Sequence, residues 1–168
     1  SGSSRGGLIG ELVSDHEQED RLDRDELVAM VEAVLLAGTD TTRNQLGATL
    51  AVLGDHPEQY AALRHDRTLI PAAIEESLRY IGAVRSTARL ASRDLVVDGV
   101  LFPAGTTVLI GLHAAGLSEA GESDGYRFEI NRSQSCPHLA FGSGAHHCLG
   151  AFLARAELQE ALTAFVEQ

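Results

Sequence analysis

From Asp23 to Leu53 the chain contains no proline and is rich in alanine, leucine and valine. Asp23, with Glu26 three residues later, has the pattern of a helix N-terminus in which two side chains satisfy each other's backbone N–H groups. The spacing predicts one helix of roughly 30 residues, about 45 Å long. It is apolar on several sides, so it is expected to lie buried at the centre of a fold rather than on a surface. Gly38-Thr39-Asp40-Thr41-Thr42 is expected to interrupt it, because these residues favour turns and caps over helix interiors.

Around this helix the pattern is mainly α. Leu8 to Val13 has helical spacing, Glu17 to Asp25 is a charged link, Pro57 opens a short helix to about Arg64, and Pro71 opens another to about Tyr80. The period then changes. Arg89-Leu90-Ala91, Leu95-Val96-Val97, Val100-Leu101-Phe102 and Thr106 to Leu112 are strand-like, with Asp98-Gly99 as a two-residue hairpin turn. Ser118 to Gln134 is expected to be irregular, and Gly150 to Val166 to form a last amphipathic helix. The predicted class is mainly α with a small antiparallel sheet in the second half. Residues 1–7, rich in Gly and Ser, read as a flexible tail.

Composition excludes several functions. The formal net charge of −11 is wrong for a partner of nucleic acid or of anionic lipid. No apolar run is long enough to span a membrane. Two cysteines, Cys136 and Cys148, do not make a disulfide framework in 168 residues, so a reducing, cytoplasmic setting is expected.

The most informative segment is Phe141-Gly142-Ser143-Gly144-Ala145-His146-His147-Cys148-Leu149-Gly150. Gly142 and Gly144 open backbone conformations closed to other residues, and Gly150 lets a helix begin directly after the cysteine. A sulfur just before a helix N-terminus is held as thiolate, the form a metal requires. Two plainer readings are a buried core thiol and a zinc site drawn from Cys136, His138, His146, His147 and Cys148. The decapeptide closely resembles the haem-ligand loop of cytochromes P450, Phe-Gly-x-Gly-x-x-x-Cys-x-Gly. That resemblance implies haem b, with Cys148 as the axial thiolate on iron. It also implies that Phe141 packs beside the sulfur and that His146 lies near a haem propionate.

Further segments resemble the same family in the same chain order. Ala37-Gly38-Thr39-Asp40-Thr41-Thr42 is similar to the distal run in which Gly38 allows close approach of a ligand, while Asp40 and Thr41 deliver protons for O–O cleavage. By itself it could be a kink with hydroxyl back-bonding. Glu76-Ser77-Leu78-Arg79 is similar to the family's Glu-x-x-Arg. A helical wheel places this pair opposite Ile74, Leu78 and Ile81, hence at the surface. The resemblance implies instead a buried structural pair covered by Gly125-Tyr126-Arg127-Phe128, with Arg127 within hydrogen-bonding distance of Glu76. Arg89 resembles the strand arginine that grips a propionate, with Arg85 as competitor.

The resemblance, to bacterial-type members, covers nearly the whole chain. It implies the C-terminal portion of the cytochrome P450 fold over residues 1–168, with the N-terminal part absent, since whole members are more than twice this long. The implied activity is a haem-thiolate monooxygenase acting on a small organic, apolar substrate with O2 and electrons from a ferredoxin-type donor. Val34, Ala37, Ala83, Val84 and Ile110 would line its pocket, completed by the remainder of the chain or another chain. The alternative is a truncated, non-catalytic haem-binding or scaffold protein. The chain departs from the family pattern at Gly116 to Gly125, which lacks Asn-Arg-Asp-Pro, and at Ser143, where a larger or basic residue is common.

Overall fold

The computed structural model describes residues 7–17, 23–118, 125–132 and 138–168. The chain divides into two units, one ending at Asp40 and one running from Thr41 to Gln168. The first unit contains helix α1 (Leu8–Glu17) and the first half of helix α2 (Arg24–Asp55). The start of α2 is the reciprocal cap that the sequence anticipates. Glu26 N–H donates to Asp23 Oδ1 at 2.8 Å, and Asp23 N–H donates to Glu26 Oε2 at 2.9 Å.

Two expectations for α2 fail. The run from Gly38 to Thr42 does not interrupt it; the helix is continuous for 32 residues. The Thr39 hydroxyl donates back to the Leu35 carbonyl at 2.8 Å, so the polar side chain is satisfied without breaking the backbone ladder. Nor is α2 buried along its length. Leu35 and Leu36 are 55% and 70% exposed, whereas Gln45, Thr49, Val52 and Leu53 are buried. The contacts that bury α2 lie from Gln45 onward, within the second unit.

Those contacts are partly polar. Gln45 Nε2 donates to Ser77 Oγ at 3.3 Å, its Oε1 accepts from Ala83 N–H at 2.8 Å, and the Thr49 and Ser77 hydroxyls lie 2.9 Å apart. They join α2 to helix α4 (Ile70–Ile81), which follows α3 (Pro57–His65) and a 3-10 turn at Arg67–Leu69. Around α4 the core closes with Val52, Leu53, Leu63, Ile74, Phe128, Leu158 and Leu162. The last two come from the final helix, α6 (Ala151–Val166).

Among the described residues the β structure is two antiparallel pairs. Strand β1 (Thr87–Leu90) pairs with β4 (Thr107–Ile110), and β2 (Leu95–Val97) pairs with β3 (Val100–Phe102). The β2–β3 turn has both central residues left-handed, Asp98 at φ 49° and Gly99 at φ 79°, as a tight hairpin requires. The predicted strand to Leu112 stops at Ile110. Leu112 instead starts a short helix, α5 (Leu112–Ser118), which the sequence pattern did not indicate.

Glu76 and Arg79 are 6% and 2% exposed, so the helical wheel misplaces them and the buried reading holds. The wheel fails because the face of α4 that carries Glu76 and Arg79 is also covered, by irregular backbone, while its apolar face packs in the core. Arg79 Nε and Nη2 donate to the two Glu76 oxygens at 2.7 and 2.8 Å. Arg79 then donates to the carbonyls of Gly116 (3.2 Å), Gly125 (2.7 Å) and Arg127 (2.9 Å). Gly116 permits this approach, because a Cβ there would sit 3.0 Å from the Arg79 carbonyl oxygen.

Arg127 does not play the part expected of it. It contributes its backbone carbonyl to Arg79, and the second guanidinium on Glu76 is that of Arg132, whose Nη2 lies 3.4 Å from Oε1. The covering segment meets α4 with its main chain, through the 125 and 127 carbonyls and the Glu129 N–H (2.9 Å to Glu76 Oε1). The cation arrives only after the turn at residues 130–131.

Candidate functional site

The cysteine loop connects the core to α6. Phe141 and Gly142 are half-buried, and everything from Ser143 to Gly150 is exposed. Gly142 and Gly144 have φ of +69° and +70°, a region costly for any residue with a Cβ. These left-handed positions fold the loop back on itself. Gly142 N–H donates to Leu139 O (2.8 Å), His147 N–H to Gly144 O (3.0 Å), and Cys148 N–H to Phe141 O (2.9 Å). The Cys148 carbonyl accepts from Ala151 N–H at 3.3 Å as α6 begins. Gly150 has an ordinary φ of −83°, and a Cβ added there would meet no atom within 4 Å, so its backbone does not demand glycine.

Behind the loop lies a charged cluster that sequence reasoning missed. Arg155, on the first turns of α6, makes a two-pronged ion pair with Glu75 of α4, Nε to Oε1 at 2.6 Å and Nη2 to Oε2 at 3.0 Å. His138 Nε2 lies 3.1 Å from Glu75 Oε2, and its Nδ1 accepts from Ala140 N–H at 3.2 Å. The imidazole is therefore the tautomer carrying its proton on Nε2, which it donates to Glu75. Burial disfavours the charged form of Glu75, but the hydrogen bonds from His138 and Arg155 outweigh it and hold its pKa down at about 2. The only sequence signal for this cluster was the acidic doublet Glu75-Glu76 and an arginine seven residues after the cysteine, each commonplace alone.

Cys148 is a free, exposed thiol, which rules out the core-thiol reading. Among the described residues no three His, Cys, Asp or Glu side chains cluster to hold a metal, and Cys136 lies outside those residues. Without such a cluster, a cysteine can anchor an iron whose other ligands come with the metal, as they do in a porphyrin. The apolar side chains next to it, Leu149 and Phe152, are 89% and 85% exposed, a surface suited to a large flat apolar group. The residues present thus fit haem.

Arg89 is exposed on β1, where Nη1 donates to Thr87 Oγ1 (3.0 Å) and to the Ala88 carbonyl (2.9 Å). Arg85 is exposed, and its carbonyl accepts from His113 N–H at 3.2 Å. Burial, followed by the charges of Arg85 and Arg79, lowers the pKa of His113. His146 is exposed at the end of the 3-10 turn Gly144–His146. Gly38, Asp40 and Thr41 follow one another on exposed positions of α2.

Among the described residues no helix is long and apolar enough to cross a membrane. The protein-family model for cytochrome P450 matches residues 7–168. A vitamin D3 dihydroxylase from Streptomyces griseolus is 42% identical over 163 residues, covering 96% of this chain and 40% of that enzyme. The cytochrome P450 monooxygenase PikC of Streptomyces venezuelae is also 42% identical, with 96% and 39% covered. The tirandamycin C-bound P450 monooxygenase TamI superposes with a TM-score of 0.89 at 37% identity, over 95% of this chain and 40% of that one. The chain therefore spans about 40% of the length of the relatives it matches. With the glycine-hinged cysteine loop, the buried Glu76–Arg79 pair and these likenesses in agreement, the chain belongs to the cytochrome P450 family, whose members bind haem.

Proposed function

We propose that this chain supplies the haem-ligating part of a P450 monooxygenase, with Cys148 as the iron ligand. The observation that carries this is the exposed thiol, set by two left-handed glycines beside bare apolar side chains, with no cluster of three metal-ligating side chains among the described residues. Haem held by a cysteinate supplies activation of O2. The protein's own share is to hold, orient and protonate. Phe141 and Gly142 set the loop. Gly150 leaves room above the start of α6. Arg89 and His146, both exposed, are the candidate grips for the propionates, Arg89 through the two-pronged geometry of its guanidinium. Arg85 is the alternative grip. Gly38 offers bare backbone to a ligand.

Thr41 and Asp40 are the proposed proton pair. Thr41 would donate a hydrogen bond, and Asp40 would relay protons from water. A small apolar organic substrate is supported by Ala83, Val84 and Ile110, all small or medium apolar groups. Relatives named as a dihydroxylase and as a monooxygenase support the reaction class. The electron donor is proposed to be of ferredoxin type, and the setting cytoplasmic. One structural neighbour is an intact type IV self-sufficient cytochrome P450 monooxygenase.

The ligand assignment is tested by the visible spectrum of the reduced protein with carbon monoxide. Cys148→Ala loses the thiolate-type band and Cys136→Ala keeps it. Equal behaviour of the two variants, or purified protein carrying zinc and no iron, ends the assignment. Thr41→Ala leaves haem binding intact and diverts reducing equivalents to hydrogen peroxide; an unchanged ratio of product to electrons consumed contradicts its role.

A further inference from the structure

The Arg155 cluster lies outside the apolar core, and it is built onto the cysteine loop. The guanidinium carbon of Arg155 lies 4.4 Å from the centroid of the Phe141 ring, a cation–π contact. The same ring lies 6.2 Å from that of His138 and 6.5 Å from that of His147. Phe141 is also the residue whose carbonyl accepts the Cys148 N–H. A continuous chain of contacts thus runs from Glu75 through Arg155 and the Phe141 ring to the backbone of Cys148.

Its parts are poorly interchangeable. Two oxygens of Glu75 meet two nitrogens of Arg155, so the guanidinium plane is fixed and not merely attracted. His138 takes up Glu75 Oε2 from the other side. Residues 143–150 are exposed and pack against little in the described structure, so Phe141 is the point at which the loop is anchored to the fold.

We infer that Arg155 is a positioning residue for Cys148: held by Glu75 and His138, it clamps the Phe141 ring and so fixes the carbonyl to which the cysteine N–H is bonded. The hydrogen bonds that Arg155 donates to Glu75 raise its pKa, opposed by burial, and the charges of Glu75 and Cys148 add to the rise, so the clamp stays cationic. The consequence for an iron ligand rests on the function proposed above. The clamp itself does not, because it acts on a backbone amide.

The test is hydrogen exchange of the Cys148 amide in the haem-free chain, measured by NMR. The amides of Ala154 (bonded to Gly150 O) and Asp66 (bonded to Ala62 O) serve as controls. Arg155→Met keeps the length and apolar stem but removes the fork and the charge. It speeds exchange at Cys148 about tenfold and leaves the controls within about twofold. Phe141→Leu keeps the Glu75–Arg155 pair and breaks only the clamp, and it produces the same selective acceleration. In the double variant the two effects do not add, since either change removes the one contact. Arg155→Lys restores only part of the protection, because it keeps the charge without the fork.

If Arg155 merely joins α6 to α4, Arg155→Met accelerates the control amides as much as Cys148, and Phe141→Leu does not reproduce it. Either result overturns the inference. Haem-loaded protein separates the two proposals. Selective acceleration in a protein whose Cys148→Ala variant keeps its spectrum would retire the ligand assignment and leave the clamp standing.

Discussion

Helix α4 carries two glutamates side by side, and the protein treats them in opposite ways. Glu76 is 6% exposed and bound by Arg79, Arg132 and the Glu129 amide. Glu75 is half-exposed and bound by Arg155 and His138. The first closes irregular backbone over the core, where every buried polar group must find a partner. The second reaches α6 and the cysteine loop at a solvent-accessible edge. Adjacent positions on a helix point about 100° apart. One doublet can therefore serve a structural knot on one side and a loop that presents a reactive group on the other.

The sharpest way to break this contrast is Glu76→Gln. It strands the buried Arg79 charge, with Arg132 beside it, and removing one member of a buried pair costs about 3–5 kcal/mol. Urea or thermal unfolding followed by circular dichroism should show a variant that folds poorly or not at all. A loss under about 1 kcal/mol would mean that the pair behaves as an exposed one.

Gly142→Ala probes the loop. With φ at +69°, alanine costs about 1–2 kcal/mol there. Because the loop is exposed, the strain is expected to appear as weaker haem retention more than as a lowered unfolding temperature. Haem transfer to a scavenger protein measures it.

Glu75→Gln acts through pH. The folded pKa of Glu75 is about 2 against an ordinary 4.5, so the carboxylate stabilises the fold above pH 4.5. That contribution is lost as pH falls from 4.5 toward about 2. The variant should show a shallower loss of stability over this window than the parent, by well under the buried-pair figure because Glu75 is partly exposed. Parallel stability curves for variant and parent would show that Glu75 is not the titrating group.

The smallest effect is expected at Gly150→Ala. Its ordinary φ and open surroundings predict a change within about 0.5 kcal/mol. A clear loss of haem without loss of fold would show that the glycine is needed for the bound group rather than for the loop.

Much of this architecture was legible in the chain. The cap at Asp23 and Glu26, the proline-started helices α3 and α4, the Asp98-Gly99 hairpin and the glycine-spaced cysteine loop are local. Each is set by what a few neighbouring backbone groups can do, and each lies where the residues indicate. The family likeness also foretold burial of Glu76 and Arg79, which helical periodicity alone placed at the surface.

Other features depended on groups far apart in sequence. Polar residues at Gly38–Thr42 read as a break, but a hydroxyl bonding back within the helix let α2 run on. The burial of α2 begins only at Gln45, where α4 supplies Ser77 and the chain beyond it supplies the Ala83 amide. Arg132 rather than Arg127 reaches Glu76, because the covering segment meets α4 with its carbonyls and N–H groups, and main-chain atoms leave no mark in residue identity. Arg155 and Glu75 are 80 residues apart. Local residue chemistry determined which segments form helices, turns and the thiol-bearing loop, since those bonds close within a few residues. Which charges meet, and what holds Phe141 behind the cysteine, was decided only when packing of α4 against α6 brought distant side chains within hydrogen-bonding range.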